Sequence, residues 1–154
     1  MKMRVYIVAA SLFALCLAAV AEGAQPAPKE PAGECYCSEC GMAIRPAARN
    51  FLSEIILTNG KTLYFCDLGD MMTYYDIMKK KDDVAALYIK DHISGAWADG
   101  RTAYYLTGSK VATPMRFGIL SFKDRAAAEK VKKEKGGGVI YDFKGIIASK
   151  AYRR

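Results

Sequence analysis

Two stretches of the chain show the same order of apolar and polar patterns. In the first, two β-rich runs flank Asn59-Gly60, the strongest short hairpin signal, because both turn residues are expected to take positive φ. Capping residues and apolar positions at helical spacing follow. The predicted elements are strands at 53–58 and 61–66, a capping turn at 67–70, a helix at 71–80 and a strand at 84–89.

The second stretch repeats this order after a connection at residues 90–101. Its predicted elements are strands at 102–107 and 117–122, a helix at 125–135 and a strand at 139–143. Asp124 precedes this helix as Asp67 precedes the first, and Gly136 to Gly138 end it. Each half alone is too small to bury much of its surface. We therefore predict an α+β fold in which a tandem β-β-α-β repeat forms one compact two-lobed unit.

The ends of the chain have a different composition. Residues 1–21 combine the positive Lys2 and Arg4, an apolar run and the small-residue cleavage site Ala19-Val20-Ala21, which predicts a cleaved signal peptide. Residues 22–34 are rich in proline and glycine and are expected to form a solvated linker. The domain is placed at residues 35–150, with halves at about 35–90 and 101–150. Export to the periplasm without stable membrane insertion follows; an uncleaved membrane anchor is the alternative.

Charge and motifs exclude several classes of function. The net charge is +7, but the lysine groups fall on predicted helix ends and polar faces without base-stacking aromatics, so nucleic-acid binding is not expected. The chain has a single histidine and lacks the motifs of serine hydrolases, zinc proteases and P-loop enzymes. We therefore expect a binding protein rather than an enzyme.

Four cysteines remain after removal of the predicted signal peptide, namely Cys35, Cys37, Cys40 and Cys66. Their spacing leaves several interpretations open. Cys37 and Cys40 have the C-x-x-C spacing of a disulfide, a redox pair or a metal site. A zinc site made of all four cysteines is another possibility. Cys66 could be a small buried hydrophobic residue or the disulfide partner of Cys35.

The segment Cys40-Gly41-Met42 combines a thiolate and a thioether two residues apart. These soft ligands together favour Cu(I) over harder metals. If the repeat brings its two halves together, Met115 in the loop at 108–115 becomes a third soft ligand, although it could equally fill the core. Further candidate ligands are Cys37, Cys66 and His92. Asp67 is expected to cap the first helix and to orient a ligand.

Four segments also resemble, in order, the signatures of the NosL family. They are CSECGM, LTNGKTLYFCDLGDMMTYY, KDHISGAWADGRTAYYLTGSKVATPM and FGILSFKDRAAAEKVKKEKGGGVIYDF. The resemblance implies two β-β-α-β halves and one Cu(I) held by a Cys-x-Met pair, which falls on Cys40 and Met42, with Met115 as the further methionine. The chain departs from the family pattern at Arg116, where Pro-Met is often followed by glycine, and at His92.

The resemblance implies a periplasmic metallochaperone. Its expected partners are an apo copper enzyme, for which nitrous oxide reductase is the candidate, and the maturation machinery of that enzyme. The alternative function is a thiol oxidoreductase, an organomercurial-lyase-like protein or a heavy-metal-binding protein that uses the cysteine cluster.

Overall fold

A computed structural model of the protein describes residues 25–78 and 80–153. The predicted signal peptide lies outside these residues. Within them, no helix combines the length and the apolar character that crossing a membrane requires. The strands are β1 (Ser53–Leu57), β2 (Thr62–Phe65), β3 (Val84–Lys90), β4 (Trp97–Asp99), β5 (Tyr104–Leu106), β6 (Leu120–Phe122) and β7 (Ile140–Asp142). The helices are α1 (Leu68–Ile77), α2 (Arg125–Lys135) and α3 (Phe143–Ser149), and Pro46–Phe51 and Lys81–Asp83 form 3-10 helices.

The strands form two antiparallel sheets with the same internal topology. The first has the order β2-β1-β3-β4 and the second the order β6-β5-β7, so the first strand of each half lies between the second and the third. A helix connects the second and third strands in both halves. The predicted α+β fold with a tandem β-β-α-β repeat is confirmed. Strand β4, which pairs with β3, is an addition to the first half that the repeat does not predict.

The predicted hairpin joins β1 and β2, and its turn differs in detail from the expectation. Gly60 has φ +83°, whereas Asn59 is not among the residues with positive φ. The Asn59 side chain instead accepts a hydrogen bond from the Lys61 backbone at 3.0 Å. A single left-handed residue, supplied by glycine, therefore suffices for this turn.

Aspartate caps set where the helices begin. The Asp67 side chain accepts a hydrogen bond from the Gly69 backbone, so α1 begins at Leu68, three residues before the predicted start. Helix α2 has the predicted bounds and is capped by Asp124. The last predicted strand, 139–143, ends instead at Asp142, whose side chain caps α3. The sequence patterns above did not predict α3.

Strand β5 lies between two hydrophobic cores. Tyr105 is fully buried and packs in the larger core, which includes residues of β1, β2, β3, α1 and α3. Leu106 is also fully buried and packs in the smaller core, with Phe122 and the α2 residues Ala128 and Val131. Successive side chains of a strand point to opposite faces, so β5 contributes to both cores.

Polar contacts join the two halves at several points. The buried Asp91 after β3 accepts a hydrogen bond from the Lys123 backbone at 3.0 Å, and the Ser121 hydroxyl donates to the Lys90 carbonyl at 2.8 Å. At the other end of the chain, Lys150 and Arg153 form ion pairs with Asp76 of α1. In the loop between β5 and β6, the Met115 backbone donates to Asp67, which places this loop against the start of α1.

Residues 25–34 form neither helix nor strand, yet part of this segment packs on the first sheet. Pro31 is buried, the Lys29 backbone donates to the Glu54 carboxyl at 3.0 Å, and the Tyr88 hydroxyl donates to the Pro26 carbonyl at 2.9 Å. This packing differs from the fully solvated linker that the composition predicts, because buried polar groups of the first sheet use the linker backbone as partner.

Candidate metal centre

A short hairpin at residues 35–44 presents two of the thiols. Tyr36 and Ala43 form an antiparallel bridge, and the Cys37 backbone donates to the Met42 carbonyl at 2.8 Å. The turn is closed by a hydrogen bond of 2.9 Å from the Gly41 backbone to the Cys37 carbonyl, and Gly41 has φ +72°. Glycine takes this left-handed conformation without the steric cost of a side chain. The backbone of the Cys37–Cys40 turn is therefore fixed by its own hydrogen bonds.

The hairpin lies beside the end of β2 and the start of α1. The Ser38 backbone donates to the Tyr64 carbonyl at 2.8 Å, which fixes the hairpin against β2. Cys66 follows β2 directly, and Asp70 lies in the first turn of α1. Cysteines of the hairpin therefore lie next to Cys66 and Asp70, which are about thirty positions away in the chain.

Four side chains converge here, and we call Cys37, Cys40, Cys66 and Asp70 the thiol–carboxylate cluster. Their three sulfurs and one carboxylate oxygen lie within 4.8 Å of one another. The Sγ atoms of Cys40 and Cys66 are 3.7 Å apart. Asp70 Oδ2 lies 3.2 Å from Cys66 Sγ and 3.5 Å from Cys37 Sγ. The cluster offers three sulfur ligands and one oxygen ligand to a metal ion.

Burial and mutual hydrogen bonds shift the proton affinities of this cluster. A hydrogen bond from Cys66 lowers the pKa of the Cys37 thiol to about 4, whereas the same contact and burial raise the pKa of Cys66. Burial raises the pKa of the Cys40 thiol and raises that of the Asp70 carboxyl to about 6. The Cys37 thiol therefore ionises readily, whereas the Cys40 and Cys66 thiols keep their protons until a bound cation displaces those protons.

Met42 lies on the open side of the cluster. Its side chain is 50% exposed, and it lines a cavity of about 400 Å³ together with Cys66, Arg45 and Pro114. Methionine side chains are usually buried, and an exposed one forgoes the favourable free energy of that burial. The cavity gives a metal donor or acceptor in solution access to the sulfurs from this side.

Met115 follows Pro114 in the turn at 113–116 and is half-buried against the larger core. Its backbone N–H donates to Asp67 Oδ2 at 2.9 Å, while Asp67 Oδ1 accepts from Gly69. We call the turn at 113–116 the methionine loop. Asp67 connects this loop to the start of α1 and also caps that helix. Arg116 has φ +59°, a left-handed conformation that glycine adopts more readily than arginine.

Two of the remaining candidates lie outside the cluster. All four cysteines in the described part of the chain are free thiols. Of these, Cys35 lies outside the cluster and lines a separate pocket with Arg49. His92 stacks edge-to-face on Phe122, with 5.7 Å between ring centroids, and burial lowers its pKa. The structure does not bring His92 into the thiol–carboxylate cluster.

Asp70 is the cluster residue that the sequence did not identify as a candidate. It was assigned to the capping turn because the helix was expected to begin at residue 71. The order Cys66-Asp67 followed by Asp70 is a signal that could have revealed it, since an aspartate cap at Asp67 places Asp70 in the first helical turn, close to the residue that precedes the cap. This signal needs the helix start at Leu68 that the Asp67 cap sets.

Comparisons with known proteins identify the family and the fold. A protein-family model described as NosL matches residues 28–151. Among solved structures, the chain is similar to the copper chaperone NosL from Shewanella denitrificans, with a TM-score of 0.65 and 22% sequence identity. The superposition covers 79% of this chain and 95% of that one, and at this identity it shows a shared fold. No curated protein sequence matches the chain significantly.

Proposed function

Because this chain belongs to the NosL family, we propose that it is a Cu(I) metallochaperone that acts outside the cytoplasm. Copper is its cargo rather than a resident cofactor. The fold it shares with a copper chaperone supports this function. The observation that carries the proposal is the cavity of about 400 Å³ where the exposed thioether of Met42 meets the Cys66 end of the cluster.

The proposed ligands are Cys40, Met42 and Met115. Cys40 is the least buried thiol of the cluster, and Met42 is two residues away on the exposed side. Met115 follows Pro114, which lines the same cavity. One thiolate and two neutral thioethers form the soft, low-charge ligand set that suits a monovalent copper ion.

Delivery then proceeds by exchange of ligands. An incoming sulfur or imidazole from the recipient replaces a thioether first, because a neutral thioether binds less strongly than a thiolate, and Cys40 releases the ion last. The partial exposure of the site allows the recipient to approach. We propose an exported copper enzyme as recipient, with nitrous oxide reductase as the first candidate to test. We also propose that the chain itself is exported and that residues 1–21 are then cleaved off as a signal peptide.

The binding test is a competition titration of the reduced protein with a chromophoric Cu(I) chelator. We expect one Cu(I) per chain, no stoichiometric binding by Cys40→Ala, and weaker binding by Met42→Ala and Met115→Ala. The matched control is Met78→Ala, since this methionine caps the far end of α1, about 15 Å from its start. An unchanged affinity in the Cys40 variant ends the proposal. Copper that stays on the protein when apo nitrous oxide reductase is added excludes that recipient.

The alternative of a thiol oxidoreductase fits the structure less well. The attacking thiol of such enzymes is accessible and has a lowered pKa. Here Cys37 has the lowered pKa but is only 3% exposed, whereas the pKa of the more exposed Cys40 is raised. Among the thiols in the described part of the chain, none combines both properties. A disulfide-reduction assay on the metal-free protein distinguishes the two functions.

A further inference from the structure

We infer that residues 25–34 form a pH-dependent cover of the first sheet, which is docked while Glu54 is protonated and released when Glu54 is ionised. We call these residues the strap. Ile55 of β1 packs in the larger core, so its neighbour Glu54 points to the opposite, outer face of the sheet, where the strap contacts it. The inference concerns the metal-free protein and goes beyond the proposed Cu(I) function.

Polar contacts join the strap to β1 and β3 on this outer face. They are the hydrogen bond of 3.0 Å from the Lys29 backbone to Glu54 Oε1, the hydrogen bond of 2.9 Å from the Tyr88 hydroxyl to the Pro26 carbonyl, and the ion pair between Lys90 and Glu30. Pro31 is buried, whereas most other strap residues are exposed. Few buried groups hold the strap, so its release costs much less free energy than unfolding of the domain.

Gly33 provides a hinge at the end of the strap. It has φ +87°, a left-handed conformation, and a side chain at this position would meet nothing within 4 Å. The Arg49 side chain donates to the Gly33 carbonyl at 3.1 Å, and the Ile44 backbone donates to the Cys35 carbonyl at 2.8 Å. These bonds hold the hairpin at residues 35–44 in place, so the strap can move away without it.

Glu54 is the buried acidic group beneath the strap. Its side chain is fully buried, its Oε1 accepts from Lys29, and its Oε2 has no hydrogen-bond partner among the described residues. An ionised carboxylate in such a place lacks most of its hydration and costs far more free energy than a neutral carboxyl group. Because the strap contributes to this burial, its release allows water to reach the carboxylate.

The charged groups around Glu54 compensate only partly for its burial. Lys29 and Lys90 favour the Glu54 carboxylate, and Glu30 disfavours it. Lys90 forms its ion pair with Glu30 rather than with Glu54. The acidic and basic residues of the strap therefore act on Glu54 in opposite directions.

The groups on the neighbouring strands do not titrate in the same range. Tyr64 of β2 and Tyr88 of β3 lie directly opposite Glu54, and burial raises the pKa of both tyrosines above the ordinary value of 10.0. Asp99 of β4 lies opposite Tyr88, one strand further from Glu54. Glu54 is therefore the group whose protonation decides whether the strap stays docked.

The direction of the pH dependence follows from burial, which raises the pKa of the Glu54 carboxyl from its ordinary 4.5 to about 7. After release the carboxyl meets water, and its pKa returns towards the ordinary value. The docked state therefore binds more protons between these values, so docking is strongest below pH 4.5 and weakens as the pH rises to about 7. The gap of about 2.5 between the two pKa values limits the fall in the ratio of docked to released protein to about 300-fold.

The test is hydrogen exchange of the Lys29 amide, measured by NMR on the reduced, metal-free protein. Protection is the exchange rate of an unstructured peptide with the strap sequence, divided by the rate in the protein at the same pH. We expect this protection to fall about 100-fold between pH 4.5 and pH 7.5. At each pH it should lie far below the protection of the buried Val131 amide in α2, while the Ile44 and Val131 signals keep their native chemical shifts.

Three results would overturn the inference. They are a Lys29 amide without protection at pH 4.5, protection that does not change with pH, and protection equal to that of Val131, which would show that the strap opens only when the domain unfolds. No metal is added, so any of them leaves the Cu(I) proposal untouched.

Two glutamine variants assign the pH dependence to one carboxyl group. Glu54→Gln keeps an acceptor for the Lys29 amide but does not titrate, so its protection should be constant with pH. Glu30→Gln is the matched control; it loses the ion pair with Lys90 and should weaken docking at every pH, while the pH dependence persists. A parent-like pH dependence in Glu54→Gln refutes the role of Glu54. If Glu54→Gln does not fold, the parent profile still decides, since it should follow a single proton between pH 4.5 and about 7.

Discussion

Replacement of Asp67 by alanine tests the two roles of this side chain together. Asp67 is fully buried, and its two carboxylate oxygens accept from different parts of the chain. One accepts from the Gly69 backbone at 3.3 Å and caps α1, and the other accepts from the Met115 backbone at 2.9 Å. The Asp67→Ala variant removes both hydrogen bonds and leaves both donors without this partner.

The structure gives the expected loss of stability. Loss of an aspartate cap costs about 1 kcal/mol. A donor left unsatisfied when it is buried costs about 1–3 kcal/mol, and Met115 is half-buried, so about 1–2 kcal/mol is expected for its N–H. The free energy of unfolding should therefore fall by about 2–3 kcal/mol in Asp67→Ala.

The repeat supplies a matched control in Asp124→Ala. Asp124 caps α2 at the equivalent position of the second half and accepts from the Ala127 backbone at 2.8 Å, a hydrogen bond that stays within the second half. Its replacement should cost only the cap, about 1 kcal/mol. The difference between the two variants therefore measures the bond to Met115 together with the burial of Asp67, since Asp124 is exposed.

Urea denaturation measures the stabilities, and the Cu(I) competition titration measures the affinities. We expect Asp67→Ala to bind Cu(I) about tenfold or more weakly, because groups that orient a metal ligand contribute about 10–100-fold. Asp124→Ala should bind as the parent does. The reasoning is refuted if the two variants lose equal stability, or if Asp67→Ala keeps the Cu(I) affinity of the parent.

Two further predictions concern the fold around the site. Burial raises the pKa of the Glu54 carboxyl to about 7, above its ordinary value of 4.5, so the native state binds more protons than the unfolded state between these values. Stability should fall by up to about 3 kcal/mol as pH rises through this window, and Glu54→Gln should remove that loss. Parallel stability curves for the two proteins between pH 4.5 and 8 would contradict this. Gly69→Ala places a methyl group 2.1 Å from the Phe117 ring and should cost about 1–3 kcal/mol. The added change Phe117→Ala should make the Gly69 substitution nearly neutral in a double-mutant cycle, and an equal cost in both backgrounds argues against the clash.

Local patterns account for the parts of the fold that were predicted correctly. The bounds of α2, Arg125–Lys135, agree with the prediction because the Asp124 cap, the helical run and the Gly136 stop are neighbours in the chain. The hairpin at Gly60 and the repeat itself follow from signals of the same kind. Helix α3 was missed because it has only seven residues and begins at Phe143, the last residue of the predicted strand, where the Asp142 cap starts it.

The candidate site was predictable only in part. The soft pair Cys40 and Met42 is evident because the two residues are neighbours in the chain. The position of Met115 depended on how the halves pack. The repeat predicted this methionine near the sulfurs, and the bond from its backbone to Asp67 had no signal in the sequence. No signal in the chain places His92 on Phe122 rather than near the sulfurs.

The sequence by itself determined the two β-β-α-β units and the closeness of the soft side chains Cys40 and Met42, because each depends on residues close together in the chain. The tertiary structure alone decided which side chains share a site. Asp70 joins Cys37 across 33 positions because the hairpin packs against β2 and the Asp67 cap starts α1 beside it. Such contacts depend on the relative placement of several elements, and that placement is a property of the whole packed chain.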